Sequence, residues 1–414
     1  MSAQDPCCLA SGTMAAAMPL RRMATLGIVV LLGISYMFNS MDRQVFPALL
    51  SAIIPRFGLT LPEAGFVSAV FTVMVAIFGA LSGWFMGRFG RKPVLVGGLI
   101  AYSAFTFVTP FATGFGTLAV YRTLTGAGEA LQVGAVFACL GGYFGERRGT
   151  FMGIIQAFFG LGALLGPILG ARLFIWSGAW ETPFYVFGGV GMVMALLIAC
   201  AVPREFSDAS EPALVSGPVD DATASVLLSR NVLLMTAAFF LTGTSFFSYT
   251  ALYTTYLHNG LGFSVTEASV ALGMYGLGAL GAVARGWLGE RLGRAGVSAC
   301  FVALAATGFA LFNIAASAAA HAALSLLFGL LVSGVLFARL MSMLQLSAYP
   351  ARIGAAVALG LAGFYTPGPF AGYFFGKLVE MLGWGPAAIF TVVLPAVIAA
   401  LLMGFFDMRS MRSA

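Results

Sequence analysis

Four charged residues lie in stretches that are otherwise apolar enough for a membrane interior. Asp42 and Arg43 are adjacent in SYMFNSMDRQVF, and Arg122 and Glu129 lie seven residues apart in YRTLTGAGEALQ. Seven residues are two helical turns, so Arg122 and Glu129 would share one helix face about 10 Å apart. An arginine at the centre of a membrane helix costs roughly 2.5 to 3.5 kcal/mol on insertion scales. Two acids and two bases can offset that cost by pairing.

Two interpretations of these four residues remain open. They could form a structural ion-pair network, although buried pairs often stabilise no more than apolar packing does. They could instead bind an anion and protons, because charges inside a membrane mark substrate and proton pathways. Burial favours the protonated form of a carboxyl group, whereas a nearby arginine favours the charged form. An anion that engages the arginines would therefore favour proton binding by the acids, and by linkage the reverse.

The composition indicates that these residues sit within a membrane protein. Of the 414 residues, 60% are hydrophobic and 9% are charged, whereas a soluble domain is about 25% charged. Runs of about 20 apolar residues predict transmembrane helices. We expect an all-α integral membrane fold of twelve helices, at roughly 24–54, 62–87, 93–112, 116–144, 149–175, 182–202, 230–258, 265–289, 296–316, 319–349, 352–381 and 384–406.

The basic residues predict the orientation of the chain. The formal net charge is +6, but the bases are not clustered as a nucleic-acid-binding face would require. Most fall on one side of the predicted topology, and Arg56, Arg172 and Lys377 fall on the other. The positive-inside rule then places both termini in the cytoplasm, with the chain in the cell (inner) membrane. The first 20 residues lack the basic region of a signal peptide and should belong to a cytoplasmic tail, 1–22.

The sequence contains one structural unit twice. GWFMGRFGR at 83–91 aligns with GWLGERLGR at 286–294, and GPILG at 166–170 aligns with GPFAG at 368–372. We therefore expect a six-helix bundle at 23–202, a polar cytoplasmic linker at 203–229, a second bundle at 230–407 and a cytoplasmic tail at 408–414. Parallel repeats of this kind place a binding site at the membrane midplane between the halves.

This organisation resembles the major facilitator superfamily of transporters, whose halves are parallel six-helix repeats. GWFMGRFGRK also resembles the superfamily's loop motif between helices 2 and 3, although Gly87 replaces the usual aspartate. The resemblance implies a conformational latch that includes Arg88, Arg91, Glu290, Arg291 and Arg294. Alternatively, both loops carry only positive-inside charge and turn glycines.

Two shorter patterns resemble the anion:cation symporter branch of that superfamily. FNSMDRQ at 38–44 is similar to its N-Y-x-D-R pattern in helix 1, and RTLTGAGEA at 122–130 to its R-x-x-x-G-x-G-E pattern in helix 4. The resemblance implies that Arg43 binds a substrate carboxylate, that Asp42 and Glu129 carry protons, and that Arg122 biases Glu129 or helps to hold the anion. Ser40 stands where that branch usually has tyrosine, which changes the expected substrate.

Further candidates are isolated polar or aromatic side chains in the predicted helices. Arg339 in helix 10 could hold a second carboxylate, or could pair with a backbone carbonyl or Glu129. Tyrosines recur on one face of helix 7, where packing is the alternative to substrate contact. His258 and His321 should lie at the membrane interface. The remaining substrate candidates are Tyr36, Gln132, Tyr249, Tyr253, Gln156 and Tyr365.

We expect a secondary transporter, most simply a proton-coupled symporter of a small organic anion. The expected partners are that anion, protons and membrane lipid, with a monomeric protein and no cofactor, metal or nucleic acid. The alternative is an exchanger or exporter of drugs or lipid-like molecules, because spinster-like relatives also carry an aspartate and an arginine in helix 1. GLGALLGPILGA at 160–171 resembles an antiporter motif, or reflects close packing by small residues. An enzyme is not expected: the sequence has no P-loop, and an aspartyl protease would need a second intramembrane aspartate.

Overall fold

The fold consists of helices that run back and forth between two faces. A computed structural model describes residues 22–208, 229–290, 292–349 and 352–407. In these residues, eleven helices are long and apolar enough to cross a membrane, and Val265–Glu290 fills the remaining place in the order. In chain order they are α1 Met23–Ala48, α2 Leu61–Phe89, α3 Arg91–Phe111, α4 Phe115–Phe144, α5 Thr150–Ser177, α6 Thr182–Ala201, α7 Arg230–Gly260, α8 Val265–Glu290, α9 Arg294–Asn313, α10 Ala318–Ser347, α11 Ile353–Leu382 and α12 Trp384–Phe405. The predicted all-α membrane fold is confirmed.

Local sequence sets the helix boundaries. Thr60 and Glu63 form a capping box at the start of α2, which satisfies backbone N–H groups that have no partner within the helix. Gly90 joins α2 to α3 with φ of +86°, a conformation that side chains other than glycine rarely adopt. This requirement gives the last glycine of GWFMGRFGR a structural role.

The two faces of the helical array are defined by their connections. The terminal face carries Met23, the turn at Gly90 and Asp407, whereas the loop face carries the turns at Gly58 and Gly383. At the terminal face, the Asn231 side chain donates a hydrogen bond to the Asp407 carbonyl at 2.8 Å, which joins the first and last helices of the second bundle.

The two bundles meet along two glycine-lined seams. A Cβ atom on Gly65 of α2 would clash with the carbonyl of Gly372 in α11, and one on Gly276 of α8 would clash with the backbone of α5 near Leu164. The internal repeat matches α2 to α8 and α5 to α11. The α2–α11 seam in one half of the repeat therefore corresponds to the α8–α5 seam in the other. They lie in the middle and loop-face half of the helices, so the bundles are closed against each other at the loop face.

Some predicted segments lie outside the described residues. These are 1–21, 209–228 and 408–414, which contain the predicted tails and most of the linker. Within the predicted linker, Arg204–Ser207 forms a short helix. Phe206 is buried, with its ring 4.5 Å from that of Tyr143 in α4. The start of this segment therefore packs on the N-terminal bundle.

Candidate functional site

The four intramembrane charges form two ion pairs between α1 and α4. Arg43 Nε lies 2.9 Å from Glu129 Oε2, and Arg122 Nη1 lies 3.4 Å from Asp42 Oδ2. Asp42 and Arg43 are adjacent on α1, but their partners Arg122 and Glu129 lie two turns apart on α4. The long arginine side chains span this difference. All four side chains are at least 92% buried. The pairs are separated from water, where their mutual attraction is strongest and the loss of one partner costs most.

Thr106 of α3 completes the surroundings of Asp42. Its hydroxyl donates a hydrogen bond to Asp42 Oδ1 at 2.8 Å, so the carboxylate accepts from both Thr106 and Arg122. Thr106 was not predicted from the sequence, because a threonine in an apolar helix is uncharged and belongs to no recognisable motif. Three helices therefore meet at Asp42.

The second ion pair is less completely bonded than the first. The Arg43 Nε–H is not aligned with the Glu129 oxygen, and neither oxygen of Glu129 accepts a hydrogen bond from the described residues. Arg122 Nε and Nη2 likewise lack acceptors in the described part of the chain. Buried polar groups are rarely left in this condition without a reason. Glu129 and its partner retain bonding capacity that a proton, an anion or water can use.

Aromatic rings cover both guanidinium groups. Arg122 lies 5.0 Å from the ring centre of Phe46 and 5.5 Å from that of Phe71, and Arg43 lies 5.6 Å from the same Phe71 ring. A desolvated cation over a ring face is attracted by about 2 kcal/mol. Gly126 allows this arrangement, because a Cβ there would clash with the Phe71 backbone.

A chain of side-chain hydrogen bonds extends from Glu129 towards the terminal face. Asn39 Nδ2 donates to the Glu129 backbone carbonyl at 3.5 Å and to Gln132 Oε1 at 2.7 Å, and Gln132 Nε2 donates to Ser35 Oγ at 3.1 Å. All three residues are fully buried. The chain joins α1 to α4 over two turns and orients the helices that carry the ion pairs.

Arg43 also faces the second bundle. Tyr365 of α11 and Tyr36 of α1 lie close to the Arg43 guanidinium, and Tyr275 of α8 lies near Tyr36. The Tyr275 hydroxyl is 2.6 Å from Ser333 Oγ, within an irregular π-helical turn of α10 at Leu330–Leu336. Tyr275 and Ser333 were not predicted. Of the two ion pairs, the one with Arg43 therefore lies near Tyr365 of the C-terminal bundle.

Ser40 contacts α5. It is fully buried, and a Cβ on Gly162 of α5 would lie 2.8 Å from the Ser40 Cβ. A tyrosine ring does not fit in that space. The small residues of 160–171 pack α5 against α1 and α8, as the packing interpretation of that stretch predicts.

Arg339 makes a different contact from the ion pairs. Its Nε donates a hydrogen bond to the Leu292 carbonyl at 2.8 Å, between α8 and α9 near the terminal face. Arg339 thus pairs with a backbone carbonyl, which was one of the alternatives to carboxylate binding.

The tyrosines of α7 lie inside the C-terminal bundle. Tyr249 and Tyr253 are fully buried, and the Tyr253 hydroxyl is 2.9 Å from His321 Nδ1 and accepts from Ser325 at 3.0 Å. His321 lies in the first turn of α10, at a helix end as predicted, but its side chain is fully buried. The Tyr253 hydroxyl and the Ala315 carbonyl satisfy both of its ring nitrogens.

Gln156 and the latch residues lie away from the ion pairs. Gln156 is exposed on α5, one turn before Gly160. Arg88 and Arg294 are exposed at the terminal face, and Arg91 donates to the Ser207 carbonyl at 3.4 Å. Arg291 and the side chain of Glu290 lie outside the described residues. The latch therefore stays a prediction.

The chain is similar to proteins of one known family. The sequence model of a protein family described as Major Facilitator Superfamily matches residues 32–372 of this chain. This chain belongs to that superfamily. It is a multi-pass membrane transporter protein and not an enzyme, and its relatives include organic acid transporters.

Three relatives show the range of that similarity. The chain is 27% identical to a niacin transporter of Acinetobacter baylyi over 192 residues, which are 46% of this chain and 42% of the relative. It is 27% identical to a hexuronate transporter of Bacillus subtilis over 62% of this chain and 64% of the relative. It is 30% identical to the mouse sphingosine-1-phosphate transporter SPNS2 over 42% of this chain and 32% of the relative. These matches span less than two thirds of each relative.

The fold is shared with a solved structure of the superfamily. A bacterial homolog to the human lysosomal transporter Spinster, in an inward-facing and occupied conformation, aligns with a TM-score of 0.77 over 95% of this chain and 99% of that chain. The sequence identity is 15%, so this similarity concerns the fold.

Proposed function

We propose that this protein is a secondary transporter that moves a small organic anion together with protons by alternating access. The observation that carries the proposal is the Arg43–Glu129 ion pair at 2.9 Å, buried between α1 and α4. A substrate carboxylate can compete with Glu129 for the guanidinium of Arg43, and Glu129 then binds a proton instead. The relatives named for niacin and hexuronate support an anionic substrate.

Arg43 is the proposed substrate ligand because it lies nearest the second bundle, whereas Arg122 is enclosed and Arg339 lies near the terminal face. Arg122 is fully buried beside Asp42, between Phe46 and Phe71, and Arg339 is bonded to the Leu292 carbonyl. One guanidinium matches one carboxylate in a bidentate contact. Tyr36, Tyr365 and Tyr275 would line the rest of the site, and Tyr249, Tyr253 and Arg339 are left out of it.

Asp42 and Glu129 are the proposed proton carriers. With all four residues charged, the two pairs are neutral overall, and the carboxyl groups of Asp42 and Glu129 lie close enough for the charge of one to affect the other. Adding an anion and one proton keeps the site neutral. A neutral site is the cheapest to carry through a closed, dry intermediate, because an unpaired charge would be exposed to the low dielectric.

The positions of the basic residues support an orientation with the terminal face in the cytoplasm of the cell membrane. Arg91, Arg204, Arg230 and Arg294 lie at that face. The closed loop face would then make this an inward-facing conformation. A reporter fused to the C-terminus that is active only in the cytoplasm tests this orientation, and activity of a periplasmic reporter there would contradict it.

Uptake into proteoliposomes tests the transport cycle. An inward proton gradient should accelerate uptake of the correct acid from a panel of aromatic, sugar and dicarboxylic acids. Glu129→Gln should abolish gradient-driven accumulation but retain substrate exchange, and Arg43→Ala should abolish both. Glu380→Gln is the control, because it removes an exposed pair to Lys377 that contributes little. Normal accumulation by Glu129→Gln would exclude the coupling scheme.

The alternative is an exchanger or exporter of lipid-like molecules. The similarity to the sphingosine-1-phosphate transporter SPNS2 over 42% of this chain supports a lipid-like substrate. Acceleration by preloaded counter-substrate, with no response to an imposed pH gradient, would select this alternative over symport.

A further inference from the structure

A groove lies where α1 packs against α5 and α6, whereas the ion pairs lie between α1 and α4. Its volume is about 470 Å³, and its walls come from α1, α5 and α6. Met37, Phe38 and Met41 form the α1 wall, whereas the side chains of Asn39, Asp42 and Arg43 contact α3 or α4. Apart from Arg172, the lining is entirely apolar. The groove is therefore distinct from the candidate transport site.

Arg172 supplies the one charge of this groove. It lies in α5, five residues before the helix ends at Ser177 on the loop face, which is about 8 Å along the helix axis. Its side chain is exposed and makes no ion pair or hydrogen bond within the described residues. Lys377, a cation near the same face, is by contrast paired with Glu380 at 3.7 Å. An exposed arginine near the end of a membrane span that lacks a protein partner is available to an anion at the membrane interface.

The depth of Arg172 indicates the kind of partner. A long arginine side chain near a helix end extends towards the lipid headgroups. Trp176, one turn further on, is 83% exposed, as expected at a membrane interface. The apolar walls continue from this point towards the membrane centre. A guanidinium at headgroup level above an apolar groove matches a phosphate attached to an acyl chain.

We infer that this groove binds one phospholipid, with an acyl chain against α1, α5 and α6 and the phosphate on Arg172. The apolar walls exclude polar solutes, because burying a polar group without a partner is unfavourable. The site would be carried within the N-terminal bundle, since all three of its helices belong to that bundle. Lipid binding there does not depend on the transport mechanism.

Native mass spectrometry of the purified full-length protein tests this site. The protein is titrated with phosphatidylglycerol and, separately, with a diacylglycerol of the same chains, which lacks the phosphate. The wild type should retain one phosphatidylglycerol in preference to diacylglycerol. Arg172→Gln should weaken phosphatidylglycerol binding roughly tenfold, the loss expected for one charge-assisted hydrogen bond. Arg56→Gln is the matched control, because Arg56 is also exposed at the loop face but does not line the groove.

A second variant tests the chain-binding part of the groove. Val190→Trp places a large ring against the groove from α6 and should reduce the binding of both lipids, with Arg172 still present. Equal retention of phosphatidylglycerol by wild type, Arg172→Gln and Val190→Trp would overturn the proposal. Equal binding of the two lipids by the wild type would also overturn it, because the phosphate would then contribute nothing.

Discussion

Arg43 and Arg122 have the same side chain but different environments. Arg122 is enclosed by Phe46 and Phe71 and hydrogen-bonded to Asp42, which suits a fixed charge. Arg43 is poorly aligned with Glu129 and faces Tyr365 of the other bundle, which suits a charge that exchanges partners. The two arginines therefore have different expected responses to substitution.

Arg43→Lys tests the exchange of partners. Lysine keeps the charge but loses the planar fork that binds a carboxylate through two hydrogen bonds. We expect the KM for uptake to rise about tenfold, equivalent to about 1.4 kcal/mol, with little change in the amount of folded protein. Initial uptake rates over a range of substrate concentrations measure this effect. An unchanged KM would remove Arg43 from the binding site.

Thr106→Val tests the support of Asp42. Valine has nearly the same shape but cannot donate the 2.8 Å hydrogen bond to Asp42 Oδ1. We expect a loss of about 1 to 2 kcal/mol of stability, seen as a lower melting temperature in detergent. Thr109→Val is the control, because the Thr109 hydroxyl bonds only to the Phe105 carbonyl of its own helix. Equal melting temperatures for the two variants would show that the bond to Asp42 contributes no more than a local one.

At the scale of helices, glycines determine how closely the charged residues can approach. Gly126 of α4 lies against the Phe71 backbone of α2, and Gly128 against Tyr102 and Gly98 of α3. Phe71 in turn covers Arg43 and Arg122. The spacing of small residues in YRTLTGAGEALQ thus brings α2 and α3 to the ion pairs.

Gly126→Ala tests this close approach. The added Cβ would clash with the Phe71 carbonyl and push α2 away from the arginines, at a cost of about 1 to 3 kcal/mol. We expect lower thermal stability together with reduced uptake. Gly116→Ala in the same helix meets no atom within 4 Å and should be neutral or up to about 1 kcal/mol more stable. The prediction fails if both variants behave alike.

At the scale of the whole molecule, the two bundles are closed against each other at the loop face along two seams. Gly65 and Gly372 touch at the loop face, and Thr254 of α7 donates a hydrogen bond to the Pro47 carbonyl of α1. The repeat relates this α2–α11 seam to the α5–α8 seam, as expected for parallel halves that rock about a central site.

Gly372→Leu tests closure of the loop face. A leucine side chain cannot fit beside Gly65, so the bundles should stay apart there and net transport should stop. Spin labels at Arg56→Cys and Glu380→Cys, one in each bundle, should report a longer mean distance in Gly372→Leu than in the parent. Gly354→Leu is the control, because its position in α11 meets no atom within 4 Å. Identical distance distributions would contradict the proposed role of this contact.

The sequence by itself determined the helices and the presence of buried charge. Apolar runs of membrane length and the repeat near Gly83 and Gly286 are local signals, and they predicted the fold. The charges of Asp42, Arg43, Arg122 and Glu129 stood out because an apolar stretch makes an ionisable residue costly.

Only the tertiary structure decided which partner each polar side chain meets. It paired Arg43 with Glu129 and Arg122 with Asp42, added Thr106, directed Arg339 to Leu292 and buried His321. Helical periodicity assigns a residue to a face, but the neighbour of that face depends on how the helices rotate and cross. Those angles are set by contacts between residues far apart in the chain, such as Gly65 with Gly372, which no local pattern encodes.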